Sequence, residues 1–215
     1  ITPKDFKHKR KNTKYHFIGN IRGEAVNKEV GDKTKRIVYL SFGTVVMDNL
    51  WNQQVETRQN LKRFFAKLSQ ITKNNGITYI LATQGKKLLR TYPANWKVYD
   101  KVDQVKILSQ ANLFITHGGN NSFHEAITQR TPMIVIPFFG DQPLVGSQVE
   151  KLKIGTCLVK SKNIDTNKKK GFVNDQLATS LQQEVEKMFA TKKYMDNMKK
   201  IKLPKESLNK LLEKI

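Results

Sequence analysis

Four short apolar runs punctuate the chain: IVYLSF from Ile37, ITYILA from Ile77, NLFITH from Asn112 and PMIVIPFF from Pro132. Each is continuous rather than alternating and rich in β-branched and aromatic residues, the pattern of strands buried on both faces of a parallel sheet. Between the first two lies WNQQVETRQNLKRFFAKLSQITKNNG, which sets Val55, Leu61, Phe64, Phe65, Leu68 and Ile71 near a helical period and stops at Asn75-Gly76. Further on, WKVYDKV and TCLVK read as strands, and QVKILSQ, SFHEAITQ and VGSQVEKL as helical segments. Strands alternating with helices at this spacing imply βαβ units with right-handed crossovers, and so an α/β fold with a doubly wound parallel sheet.

The flanks differ from this middle. Residues 1–35 are polar and basic, with YHFIGNI as their one apolar cluster, and read as a linker with a short extended segment. The sheet-forming domain is expected over 36–190, closing on a helix with Leu177, Leu181, Val185 and Phe189 on one face and Asn174 as its cap. C-terminal helices follow over 191–215, YMDNMKKI and ESLNKLLEKI, separated by Pro204. The last of these is expected to brace either its own domain or another.

The 215 residues, 38% hydrophobic, can bury a real core, and no apolar run is long enough to cross a bilayer. The chain opens on Ile1, so an upstream segment is expected, and the location expected is cytoplasmic or peripheral to a membrane. A single cysteine, Cys157, excludes an intramolecular disulfide and a Cys-rich zinc site, and its setting in GTCLV suggests a small core residue. The 39 Lys and Arg against 18 Asp and Glu give a formal charge of +21, a field that attracts phosphates, nucleic acid or an anionic membrane. The lysines are spread along the chain without the aromatic interleaving of a single-strand binder, which argues against nucleic acid and for a solvated surface facing a lipid or partner. A basic nucleic-acid or membrane-binding module remains the alternative function at this point.

The chemistry concentrates in THGGNNSFHEA, from Thr116 to Ala126, directly behind a buried strand. In a doubly wound sheet, ligands bind outside the carboxyl ends of the strands, where strand-to-helix loops expose helix N-termini. Gly118 and Gly119 allow a tight turn and close backbone approach, and Asn121 and Ser122 start the helix beside unpaired N–H groups, which suits a phosphate. His117 at the strand end supplies a further donor. The chain has no GxxxxGK[ST], and GGNNSF lacks the third glycine of a dinucleotide fingerprint. His124 has no partner at metal-ligand spacing and reads as an ordinary packed or exposed residue, and no metal site is expected.

Residues 102–142, VDQVKILSQANLFITHGGNNSFHEAITQRTPMIVIPFFGDQ, resemble the signature of the C-terminal, donor-binding half of the UDP-glycosyltransferase superfamily, whose enzymes face two Rossmann-like domains across a cleft (the GT-B fold). The HxGxNSxxE core, the Thr-Pro-Met after the helix and the closing Asp-Gln carry the likeness. It implies that His117, Gly118, Gly119, Asn121 and Ser122 meet the diphosphate, that Glu125 holds the ribose hydroxyls and that Asp141 and Gln142 contact the sugar. It places Val102 and Gln104 around uracil and ribose, and Gly43 and Thr44 near the phosphates and sugar. Where the family has an aromatic ring stacking on the base, this chain has Lys101, with Asp103 in place of a proline and Trp96 and Tyr99 as the nearby rings. The implied activity is inverting transfer of a hexose from a nucleoside diphosphate, UDP above all, to an acceptor hydroxyl, with the acceptor a lipid among the candidates. It calls for no cofactor beyond the UDP-sugar substrate. The general base and acceptor pocket belong to an N-terminal domain or subunit outside this sequence, so these residues alone are expected to bind donor and not to turn over.

Overall fold

The computed structural model describes residues 36–52, 55–159 and 173–201. The expectations for residues 1–35 and for ESLNKLLEKI lie outside the described residues. Among the described residues, six parallel strands form one sheet: β1 (Ile37–Ser41), β2 (Thr78–Ala82), β3 (Trp96–Tyr99), β4 (Leu113–Thr116), β5 (Met133–Val135) and β6 (Gly155–Cys157). Their order across the sheet is β3-β2-β1-β4-β5-β6. The chain builds outward from β1 through β3, then returns to the other side of β1 with β4. The boundary between β1 and β4 is therefore the switch point of the topology, where the crossover helices diverge to opposite faces and leave a crevice.

Alternation along each strand shows why the apolar runs had to be continuous. Val38 and Leu40 of β1, Tyr79 and Leu81 of β2, Leu113 and Ile115 of β4 and Ile134 of β5 pack in one layer. That layer is completed by α1 (Gly43–Asn52), α2 (Val55–Ile71) and α6 (Asp175–Phe189). Tyr39, Ile80, Ala82, Phe114, Met133 and Val135 point the other way. They meet α3 (Gln104–Gln110), α4 (Asn120–Thr128), α5 (Gln142–Lys151) and Met198 of α7 (Lys193–Lys200). With both faces covered, neither can afford a polar row.

The helical expectations hold with two corrections. Helix begins at Gly43, well before Trp51, because the chain leaves β1 and must at once bury Val46 and Met47 against the sheet. The short α1 is hard to read in TVVM, whose β-branched residues resemble a strand continuing. Val55, counted with the apolar face of the following helix, is 64% exposed, whereas Leu61, Phe64, Phe65 and Leu68 are buried and Ile71 is half-buried. In α6, Leu177, Leu181 and Val185 are buried as expected, and the Asn174 side chain caps the helix by accepting from the Leu177 N–H at 3.0 Å. Cys157 is buried among apolar neighbours. Helix α7 is pinned to the end of α4, where the Arg130 guanidinium donates to the Met198 and Ile201 carbonyls at 2.6 and 2.7 Å. A cation there satisfies terminal carbonyls and complements the helix dipole. Among the described residues, no helix is long and apolar enough to cross a membrane.

Candidate functional site

The sequence-selected residues gather at the carboxyl edge of the sheet, around the switch point. Ser41 and Thr116 are partners across β1 and β4, so Phe42 with the Gly43-Thr44 start of α1, and the loop His117-Gly118-Gly119, leave the sheet side by side. Between them stands the His117 ring. A Cβ built on Gly43 would lie 2.7 Å from His117 Cε1, and one on Gly119 would lie 2.5 Å from Nε2. Both positions must lack a side chain for the imidazole to occupy this slot. Gly118 turns the backbone at φ +86, a region other residues enter with strain.

Burial lowers the His117 pKa from 6.5 to about 4, against the opposing pull of the Ser41 backbone carbonyl and the Asp141 carboxylate. The ring is therefore neutral at pH 7 and carries one N–H donor. Among the described residues its buried Nδ1 has no hydrogen-bond partner. A histidine with a depressed folded pKa binds protons more weakly folded than unfolded, so its contribution to stability is complete above pH 6.5 and disappears as pH falls to about 4. The expected outcome is a loss of up to about 3 kcal/mol between those limits. Chemical denaturation at stepped pH measures it, and His117→Gln should flatten the curve, leaving the contribution of His124, whose pKa burial also lowers.

Helix α4 starts immediately behind this slot. Its N-cap is Gly119, with extended backbone and no side-chain cap, and the first intrahelical bond runs from the Phe123 N–H to the Gly119 carbonyl at 2.9 Å. The N–H groups of Asn120, Asn121 and Ser122 precede that bond and point out of the helix start, a ready anion site. Asn121 is exposed and Ser122 half-buried there.

One turn on, Glu125 is only 6% exposed, and its Oε2 accepts from Gln104 Nε2 at 2.6 Å. The same Gln104 nitrogen donates to Ser122 Oγ at 3.0 Å, and Gln104 Oε1 accepts from the Tyr39 hydroxyl at 3.1 Å. Gln104 reaches this network because Asp103 caps α3, accepting from the Lys106 N–H at 3.0 Å and fixing the helix start one residue before it. Val102 is half-buried against the α3–α5 layer.

The outer residues are less uniform. Asp141 is exposed at the start of α5, close enough to His117 to act on its charge. Gln142 is buried, its Oε1 accepting from the Phe138 and Phe139 N–H groups at 2.8 and 3.2 Å, so half of its amide braces the loop from β5 to α5. Thr44 is exposed, and its hydroxyl donates to Gln84 Oε1 at 3.2 Å. With the Lys86–Asp48 ion pair at 2.6 Å, that bond ties the loop after β2 to α1.

Trp96 does not serve as a nearby ring for a base. It is buried, stacked on Tyr79 and Tyr92 with centroids 4.9 and 5.9 Å away, and its indole N–H donates to Thr72 Oγ1 at 3.0 Å. Tyr99 is 46% exposed. Tyr39 and Gln84 are the participants that sequence reasoning missed. Tyr39 lies mid-strand in a run that reads as core, and Gln84 in a loop whose left-handed backbone, φ 55, a sequence does not announce.

The profile of the family described as UDP-glucoronosyl and UDP-glucosyl transferase matches residues 22–203. The chain belongs to the UDP-glycosyltransferase family. Members similar to it include the NDP-glycosyltransferase YjiC of Bacillus subtilis (strain 168), 32% identical over 163 residues, which are 74% of this chain and 39% of that protein. The uncharacterized UDP-glucosyltransferase YojK of the same organism is 34% identical over 130 residues, 59% of this chain and 29% of that protein. The chain thus spans well under half the length of these two relatives. Among solved structures, the spinosyn rhamnosyltransferase SpnG complexed with thymidine diphosphate shares the fold with a TM-score of 0.60 at 15% identity, over 83% of this chain and 43% of that one. The Rossmann-like sheet is thereby placed as one half of a GT-B architecture in the UDP-glycosyltransferase family.

Proposed function

We propose that this chain is the donor-binding half of an inverting glycosyltransferase that takes a sugar from UDP and passes it to an acceptor hydroxyl. The observation that carries the reading is the Glu125–Gln104–Ser122 network one turn behind an uncapped helix start and a neutral histidine. The spacing suits a nucleoside diphosphate, with phosphates at the α4 amides and ribose hydroxyls at the carboxylate. In the transfer, the acceptor oxygen forms a bond to the anomeric carbon as the bond from that carbon to the diphosphate oxygen breaks, inverting the centre. Negative charge grows on the leaving diphosphate, and the Asn120, Asn121 and Ser122 amides, the His117 N–H and the α4 dipole stabilise it in place. Asp141 and the Gln142 amide nitrogen face the sugar. The acceptor proton goes to a general base in a partner domain that also holds the acceptor pocket. This chain alone is expected to bind donor without turnover, and peripheral contact with a membrane through its lysines fits a lipid acceptor.

The test is a thermal melt of the chain with UDP. Stabilisation that saturates by millimolar nucleotide and persists at raised salt is expected, since a fixed amide cradle depends less on screening than a diffuse basic surface does. No shift in a folded sample would remove the reading.

A further inference from the structure

We propose that Tyr39 is a positioning residue for ribose recognition: its hydroxyl holds the Gln104 amide, and through that amide the Glu125 carboxylate, in the orientation that reads the ribose hydroxyls. The inference rests on the donor-binding reading and adds to it a residue from the middle of β1, behind the site.

Tyr39 is 1% exposed and its ring lies flat on Phe114, with centroids 4.9 Å apart and an interplanar angle of 8°. Phe114 is the register partner of Tyr39 in β4, so the stack holds the phenol against the neighbouring strand of the switch point. Burial raises its pKa to about 12, with the Ser41 hydroxyl opposing that rise and the Glu125 charge adding to it. The hydroxyl is therefore protonated and a donor throughout the neutral range, and its bond to Gln104 Oε1 at 3.1 Å follows.

The consequence lies in the Gln104 amide, whose two ends are different. A carboxamide offers an acceptor on one side and two donors on the other, and half a turn exchanges them. Here the phenol donates to the oxygen, and the nitrogen donates to Glu125 Oε2 at 2.6 Å and to Ser122 Oγ at 3.0 Å. Both neighbours select the same orientation. Without the phenolic hydroxyl, Oε1 loses its buried donor while the long side chain keeps its rotational freedom, and the carboxylate loses a fixed brace. A carboxylate held in one orientation can accept from two neighbouring hydroxyls together, whereas one that wanders engages them in turn.

The experiment compares UDP with 2′-deoxyuridine diphosphate by calorimetry on the chain and on Tyr39→Phe, which keeps the stacked ring. The unaltered chain should prefer UDP, and Tyr39→Phe should shrink that preference by about three- to tenfold, with affinity for the deoxy nucleotide within about twofold. Because the hydroxyl acts through Gln104, Tyr39→Phe added to Gln104→Leu should change the preference no further than Gln104→Leu alone. A Tyr39→Phe variant that weakens both nucleotides equally, or neither, would overturn the inference, as would full additivity in the double variant. If the unaltered chain binds UDP without preferring ribose, this inference falls and diphosphate binding stands; if it does not bind UDP, the donor reading itself falls.

Discussion

Glu125→Ala will weaken UDP binding by at least about a hundredfold and leave the fold standing. A carboxylate that accepts from two neighbouring hydroxyls makes two charge-assisted bonds, each about 1.5–3 kcal/mol when desolvated, and alanine removes both. The effect on stability is of another size. Glu125 is 6% exposed and takes a 2.6 Å bond from Gln104, so its removal forfeits a strong hydrogen bond. The same change relieves the cost of keeping a carboxylate away from water, and the two terms oppose each other with similar magnitude. A net shift below about 1 kcal/mol is expected. Isothermal calorimetry with UDP and a denaturant melt, run on the same samples, check both halves. A variant that binds UDP as well as the unaltered chain would remove Glu125 from the site.

Gly155→Ala will have the largest effect on the fold. Gly155 opens β6 opposite Met133 of β5, and a Cβ there would overlap the Met133 carbonyl oxygen and come within 2.8 Å of Val149 Cγ1. Backbone cannot swing aside as a side chain can, so the two strands must separate. That disturbs the bonds from the Met133 N–H to the Ile154 carbonyl and from the Leu158 N–H to the Val135 carbonyl, at 3.2 and 2.9 Å. Overpacking of this kind costs about 3 kcal/mol, enough to lower the melting temperature of a domain this size by roughly 10 °C. A calorimetric melt measures it directly. The site should suffer with the fold, because Val135 and α5, which support Gly118 and Asp141, rest on that edge.

These two residues mark where the sequence could and could not be read. The strands were legible because parallel strands buried on both faces must be apolar throughout, and IVYLSF or PMIVIPFF offer no other use. The GGNNSFHE loop was legible because glycines, small polar groups and a carboxylate at fixed spacing have a chemical purpose together. Gly155 carried no such mark, since a close approach between strands depends on register, which lies outside local pattern. Tyr39 was hidden for a similar reason: the alternation that places it toward α3 and α4 rather than α2 and α6 exists only once both layers are in place. Trp96 illustrates the converse. A tryptophan just upstream of the motif invites a role in stacking on a base, yet its ring is buried and already stacked on Tyr79 and Tyr92.

Lys101 stands exposed in the place where the resemblance implies an aromatic ring, so affinity for the nucleotide is expected to reside in its diphosphate and ribose ends. An amide-resolved NMR titration of the chain with UDP tests that most directly. A donor site at the start of α4 will give saturable shifts at Gly43, Thr44, Gln104, His117 through Glu125 and Asp141, with the largest at the Asn120, Asn121 and Ser122 amides. Shifts confined to the lysine-rich surfaces, vanishing as salt is raised, would contradict it.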